Sequence, residues 1–325
     1  MERLNLDGWL PIRIGKVAGQ WRVDWCWFGA TPLQQPFFRD AVDAALRLPF
    51  NQAFGRQTPL ATLAEWQAQR PGLAPSAFIL HASRCGSTLI SQMLARLDDH
   101  IVVSEPPPLD TLLRSDLAPS ERRAAIGGLL SAYGQRRCGH EQRLVIKLDA
   151  WNVGEWPLLR ECFPATPWLF VYRDPLEIAV SHLRRPGMHM VPGMLGACAL
   201  DDGLPFAGRE DFIARRLGRL LDIGWRQCRD WQGVAVNYSE LPAAMAGRLA
   251  PVFGLSEAQR QRASAAAPHH AKQPTQVFVP DAEAKRREAS ALLQERVEHF
   301  ARAPYEALER LRGGLRTSPT DRPCP

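Results

Sequence analysis

Arg84-Cys85-Gly86-Ser87-Thr88 stands between the apolar run Ala77-Phe78-Ile79-Leu80 and a segment in which Leu89, Ile90, Met93, Leu94 and Leu97 recur at helical spacing. The string therefore belongs to a strand–loop–helix junction. A glycine-bearing loop at a helix N-terminus offers backbone N–H groups to an anion, and the helix dipole favours negative charge there. Arg84 adds a planar cation suited to phosphate or sulfate, and Ser87 and Thr88 add hydroxyl donors. The junction reads as a phosphate cradle; the plainer alternative is a strand–helix turn capped by serine. It departs from the nucleoside-triphosphate loop G-x-x-x-x-G-K-[ST], because Ser87 replaces the lysine and His81 stands at the first glycine.

Beyond the junction, further short apolar runs are separated by helical patterns: Ile101–Ser104, Leu144–Leu148, Trp168–Tyr172 and Val234–Tyr238. Apolar strands alternating with helices predict an α/β fold with a parallel sheet covered on both faces. Such sheets bind ligands at the carboxyl ends of their strands. Phe212 to Trp231 reads as a long amphipathic helix, and Asp281 to Leu311 as charged helix broken at Pro304. Leu183 to Pro205 holds Met188, Met190 and Met194 among glycines and prolines, and reads as a substrate lid or a plain surface loop.

Residues 1–75 differ in character and are expected to form an accessory segment before a main domain over 76–316, with a flexible tail at 317–325. Trp21, Val23, Trp25 and Trp27 alternate with Arg22, Asp24 and Cys26, which predicts a strand with one aromatic face. That face either packs on the main domain or serves as a ligand platform. Phe37 to Leu48 reads as a helix ended by Pro49, Thr58 to Ala68 as another, and Pro71-Gly72 with Pro75 as a hinge.

Composition narrows the class. The 325 residues, 46% hydrophobic, can bury a substantial core, and no stretch of 18 apolar residues predicts a membrane span. Met1-Glu2-Arg3-Leu4-Asn5-Leu6-Asp7 lacks the pattern of a signal peptide, and the seven cysteines include no C-x-x-C pair. These features lead us to expect a cytoplasmic protein with free thiols, no metal cluster and no membrane partner. The net charge of +6 is mild, and arginines are spread along the chain without an aromatic-and-basic stripe, so nucleic acid is not an expected partner.

Further residues stand where chemistry is placed in such folds. In Tyr172-Arg173-Asp174-Pro175, Asp174 suits an N-cap and Pro175 a first helical residue, so Arg173 leaves a strand end and Ser181 lies two turns into the next helix. The plainer alternative for Arg173 and Asp174 is a surface ion pair. Glu105 follows Ile101-Val102-Val103-Ser104 and precedes Pro106-Pro107-Pro108, which are expected to hold an extended loop. Lys147 ends Leu144-Val145-Ile146, where a lysine is costly unless it meets an anion or snorkels to solvent. His81 also ends a strand, whereas His100, beside Asp99, is expected at the surface.

Taken together, these strings resemble the sulfotransferases that use 3′-phosphoadenosine 5′-phosphosulfate (PAPS). The loop, with arginine rather than lysine, is similar to the phosphosulfate loop of the tyrosylprotein and carbohydrate sulfotransferases. Arg173 with Ser181 eight residues on, in the expected order after Arg84, matches the family's 3′-phosphate motif. Val234-Ala235-Val236-Asn237-Tyr238-Ser239-Glu240-Leu241 resembles a strand ending in Tyr-Glu-Asp-Leu, with Ser239 and Glu240 replacing Glu-Asp. The resemblance covers roughly residues 76–255. It implies a bacterial-like cytoplasmic member with a P-loop-like three-layer sandwich, PAPS as co-substrate and no metal.

By the same resemblance, Ser83, Arg84, Cys85, Gly86, Ser87, Thr88 and Leu89 hold the phosphosulfate, Arg173 and Ser181 the 3′-phosphate, and Tyr238 the adenine. Lys272 is a further candidate for the 3′-phosphate, although the Arg-Lys-Gly element of cytosolic relatives is absent. Glu105 lies 21 residues past Arg84, the spacing of the glutamate base in the tyrosylprotein enzymes, and His81 is the rival base. Lys147 and Arg84 stabilise charge on the transferring group.

Two other readings stay open: an ATP- and Mg²⁺-dependent kinase with Asp149 or Asp174 as metal ligand, and a non-catalytic nucleotide-binding module. The acceptor is equally open among small-molecule alcohols, phenols, sugars and peptide side chains.

Overall fold

A computed structural model describes residues 5–265, 269–270, 273–277 and 282–314. The chain opens with β1 (Trp9–Val17) and β2 (Gln20–Trp27), an antiparallel hairpin turned by Ala18 and Gly19, both at positive φ. That pair of conformations suits the right-handed twist of a two-residue hairpin. Helices α1 (Phe38–Leu46) and α2 (Pro49–Ala53) follow, then β3 (Arg56–Pro59) and α3 (Thr62–Gln69). Thr58 does not open a helix as expected. It pairs with Val23 across β2–β3, and its hydroxyl accepts the Trp25 indole N–H at 2.9 Å. That bond satisfies the polar edge of a buried tryptophan.

The core elements are β4 (Pro75–His81), α4 (Ser87–Ala95), β5 (His100–Ser104), α5 (Pro107–Leu113), α6 (Pro119–Tyr133), β6 (Arg143–Lys147), α7 (Trp156–Cys162), β7 (Trp168–Tyr172), α8 (Pro175–Arg184), α9 (Arg209–Asp230) and β8 (Val234–Asn237). Beyond them lie α10 (Ala243–Ala246), α11 (Ala250–Phe253), α12 (Glu257–Ala265), the two-stranded β9 (His269–His270) and β10 (Gln273–Val277), α13 (Ala282–Glu288) and α14 (Ala291–Gly314). Five strands form a parallel sheet in the order β5-β6-β4-β7-β8, flanked by helices. The expected α/β class is what the chain adopts. The order turns about at β4, so the loop after β4 occupies the kind of switch point where open α/β sheets bind ligands.

The chain divides into two compact units. The first comprises Met1–Ile79, Thr88–Pro167 and Pro242–Phe278. Within it β1 packs on α5 and α6, and the Tyr133 hydroxyl donates to the Pro11 carbonyl at 3.1 Å. Helix α6 approaches α3 closely at Gly128, where a Cβ would lie 2.5 Å from the Leu63 backbone. His100 is not at the surface. Its ring is buried, with Nδ1 2.8 Å from Asp99 and Nε2 3.3 Å from the carbonyl of Phe253, the last residue of α11.

The second unit comprises Leu80–Ser87, Trp168–Leu241 and Val279–Pro325. Here the apolar stripe of α9 lies along α14. The expected break at Pro304 does not occur, and α14 runs through it. Proline lacks the N–H that would bond the Phe300 carbonyl one turn earlier. Gly218 of α9 meets that carbonyl so closely that a Cβ would sit 2.3 Å from its oxygen.

Candidate active site

The cradle begins where β4 ends. The Ala82 N–H donates to the Val171 carbonyl at 2.8 Å, and the Ser83 N–H donates to His81 Nδ1 at 3.0 Å. His81 is therefore a buried support for the turn. Ser83 (φ 62°), Arg84 (φ 47°) and Gly86 (φ 86°) then take left-handed conformations in close succession. For each residue other than glycine this costs about 1–2 kcal/mol. At Gly86 no other residue fits, because a Cβ would lie 2.5 Å from the Tyr238 ring. The Cys85 thiol is buried against the Val171 carbonyl at 3.1 Å, and Arg84 and Gly86 are the partly exposed residues of the turn. Helix α4 starts at Ser87, so the N–H groups of Ser87, Thr88 and Leu89 have no intrahelical acceptor. The Arg84 guanidinium donates to the Arg185 carbonyl, just past α8, at 2.7 Å.

In the same unit Asp174 caps α8, accepting from the N–H groups of Leu176 (2.9 Å) and Glu177 (3.3 Å), with Pro175 as first residue. Arg173 does not form a surface pair with Asp174. It is buried, bonded to the Glu177 carboxylate at 2.5 Å, and its guanidinium lies 4.2 Å from the Tyr238 ring centre. Glu177, one helical turn into α8, faces back towards the strand end and also accepts from Arg286 at 3.0 Å. The Ser181 hydroxyl donates to the Glu177 carbonyl at 2.7 Å. Arg173, Ser181, Tyr238 and Gly86 are thus brought together. Tyr238 opens a single 3₁₀ turn boxed by Asn237 and Glu240. Lys272 lies outside the described residues.

In the first unit the reactive candidates meet. The Glu105 N–H donates to the Lys147 carbonyl at 2.7 Å, which locks the two strand ends together. Glu105 takes a left-handed conformation (φ 53°) that turns its carboxylate onto the Lys147 amine. Lys147 is fully buried and does not snorkel; its Nζ also reaches the Thr88 hydroxyl at 3.4 Å and lies 5.1 Å from the Phe37 ring centre. A cation so enclosed needs its anion: removing one partner of a buried pair costs about 3–5 kcal/mol. The prolines after Glu105 do not hold an extended loop. Pro107 starts α5, because proline is favoured at the first helical position.

Asp149 completes this group. Burial pushes its carboxyl well above the usual range, reinforced by the negative charges of Glu105 and Asp110 and opposed by Lys147 and Arg39. Beside the ion pair, its carboxyl holds a proton more readily than a solvent-exposed aspartate does. Asp110 is itself held by the Trp151 indole at 2.7 Å. Among the described residues no group of three or more His, Cys, Asp or Glu is placed to hold a metal ion, and no helix is long and apolar enough to cross a membrane.

No family model and no curated protein matches this chain. Among solved structures it is similar to sulfotransferase STF9 from Mycobacterium avium at 13% identity, covering 78% of this chain and 79% of that one with a TM-score of 0.45. It is also similar to a sulfotransferase from Alicyclobacillus acidocaldarius (16% identity, 74% and 96% covered, TM-score 0.40). A third is the sulfotransferase domain from the curacin biosynthetic pathway (14% identity, 76% and 99% covered, TM-score 0.40). Likeness at this level decides neither family nor activity.

Sequence reasoning missed Glu177, the role of Asp149 beside the pair, and Phe37. Two of these carried a signal. Glu177 stands four residues after Arg173 on a helix start that was legible, and Asp149 alternates with Lys147 at a strand end, so both face one side. Phe37 belongs to the N-terminal segment, and nothing local connects it to Lys147.

Proposed function

We propose that the chain transfers a sulfuryl group from PAPS to a hydroxyl of a small molecule. One observation carries the reading. The enclosed Lys147 amine contacts the Glu105 carboxylate and the hydroxyl of Thr88, the residue that directly follows the anion-binding loop. A base and a fixed cation are thereby tied to the start of the helix that would carry the phosphosulfate.

The residues fit that cofactor. The left-handed turn and the first-turn N–H groups of α4 suit a phosphosulfate. Arg173, prepositioned by Glu177 and stacked on Tyr238, suits a phosphate beside an aromatic base. PAPS, when bound, supplies an activated sulfuryl group and a phosphate leaving group. Glu105 takes the proton of the acceptor hydroxyl, a role that typically contributes about 10²–10⁴-fold. As Glu105 gains that proton its hold on Lys147 weakens, and the amine turns to the charge developing beside Thr88. Arg84, held by the Arg185 carbonyl, is the cation of the loop itself.

The test is calorimetric titration with 3′-phosphoadenosine 5′-phosphate, beside ATP and AMP, with and without Mg²⁺. Metal-independent binding that needs the 3′-phosphate, falls on Arg173→Ala and survives Glu105→Gln is expected. Preference for ATP with Mg²⁺ would replace this reading by the kinase one.

A further inference from the structure

The first unit contains a cavity of about 590 Å³ that none of the residues considered so far explains. A cavity of this size holds a drug-sized molecule. Its walls include Ile14 and Trp25 of the N-terminal sheet, Val42 of α1 and Pro108 of α5. Both helical walls lead to the ion pair. Phe37, which precedes α1, lies against the Lys147 amine, and Glu105 precedes α5 by two residues.

The polar groups of the cavity are mostly committed. Arg13 is bonded to Asp24 at 2.5 Å, and Gln57 donates to the same carboxylate at 2.7 Å. Arg56 donates to the Asn5 carbonyl at 2.5 Å and lies over the Trp9 ring. Arg39 is different. It lines the cavity from the first turn of α1 and makes no hydrogen bond or ion pair among the described residues; Asp43, one turn on, lines the same cavity and is likewise exposed. Arg39 is exposed to solvent at the edge of the cavity, and the buried Asp149 is its electrostatic neighbour, so its hydrogen-bond donors are open to an anion.

We infer that this cavity is the acceptor site and that it takes an amphipathic acid: an apolar body bearing the reacting hydroxyl and one anionic group, bound by Arg39. The aromatic N-terminal strand then serves as the far wall of a ligand site as well as a packing surface. The chemistry at Glu105 rests on the sulfuryl-transfer reading, whereas the ligand class rests on the cavity alone.

The probes are 8-anilinonaphthalene-1-sulfonate, an apolar body with one anion, and its uncharged counterpart N-phenyl-1-naphthylamine, each titrated by fluorescence. Wild-type protein should bind both. Arg39→Ala should weaken the anionic probe by about tenfold or more, as for loss of a charge-assisted hydrogen bond, and leave the neutral probe unchanged. Arg39→Lys should restore part of the loss. Val42→Trp, or Leu46→Trp at the exposed rim should the first not fold, should weaken both probes. Equal loss of both probes in Arg39→Ala, or no loss of the anionic one, would overturn the assignment. Binding of 3′-phosphoadenosine 5′-phosphate to Arg39→Ala should match wild type. Failure of wild type to bind it would remove the sulfuryl-transfer reading while the probe result still decides the cavity.

Discussion

Lys147, Glu105 and Asp149 form a set in which each side chain fixes the state of the next. The buried amine requires a carboxylate beside it, and that carboxylate reinforces burial in raising the Asp149 carboxyl above the usual range. The consequence for pH has a definite sign. Below the ordinary carboxylate range the folded and unfolded chains both protonate Asp149. Above it only the folded chain does, so this group's contribution to stability is full at low pH and is lost as pH rises through its raised folded value. Asp149→Asn mimics the protonated form. It should keep most of the turnover, and its urea midpoint should fall less than wild type's between about pH 5 and about pH 8. A steeper fall in the variant would contradict a protonated Asp149. The strand-end positions of Glu105 and Lys147 were legible from apolar runs that stop at a charge. Their mutual contact was not, since it depends on β5 and β6 being neighbours.

Helix ends were legible wherever the cap is local. Asp174-Pro175 starts α8 as its chemistry dictates. Prolines misled in two places for different reasons. Pro107 starts a helix because the first turn needs no N–H, and Pro304 sits inside one, where the Phe300 carbonyl that loses its donor is approached by Gly218 of α9. That approach comes from a residue 86 positions before the proline, and no local pattern could reveal it. Gly218→Ala should therefore act on both helices. It pushes a methyl into the Phe300 backbone, which cannot swing aside, and should destabilise the protein by about 1–3 kcal/mol in chemical denaturation. A neutral result would mean that α9 and α14 are not held this closely.

The fold class followed from five apolar runs spaced by helices, a signal carried by the whole chain. Where residues 1–75 pack did not follow, because their partners are remote. β1 meets α5 and α6, α3 meets α6, and Tyr133 bonds Pro11. These contacts bury Leu10, Ile14, Leu63 and Trp66. Deleting residues 1–74 should leave α5 and α6 with an exposed apolar face, and the product should be aggregated or show dispersed, non-cooperative thermal unfolding. A soluble, cooperatively folding 75–325 chain would show that the segment is dispensable.

Positions 83, 84 and 105 join two demands that a breeder of robust enzymes usually treats separately. Each is a place where glycine would relax the backbone, and each carries a side chain assigned to the chemistry. Selection for heat resistance alone would reward that exchange and yield a sturdier chain with an emptied site. A library built to harden this protein should hold those three positions fixed and seek its gains elsewhere.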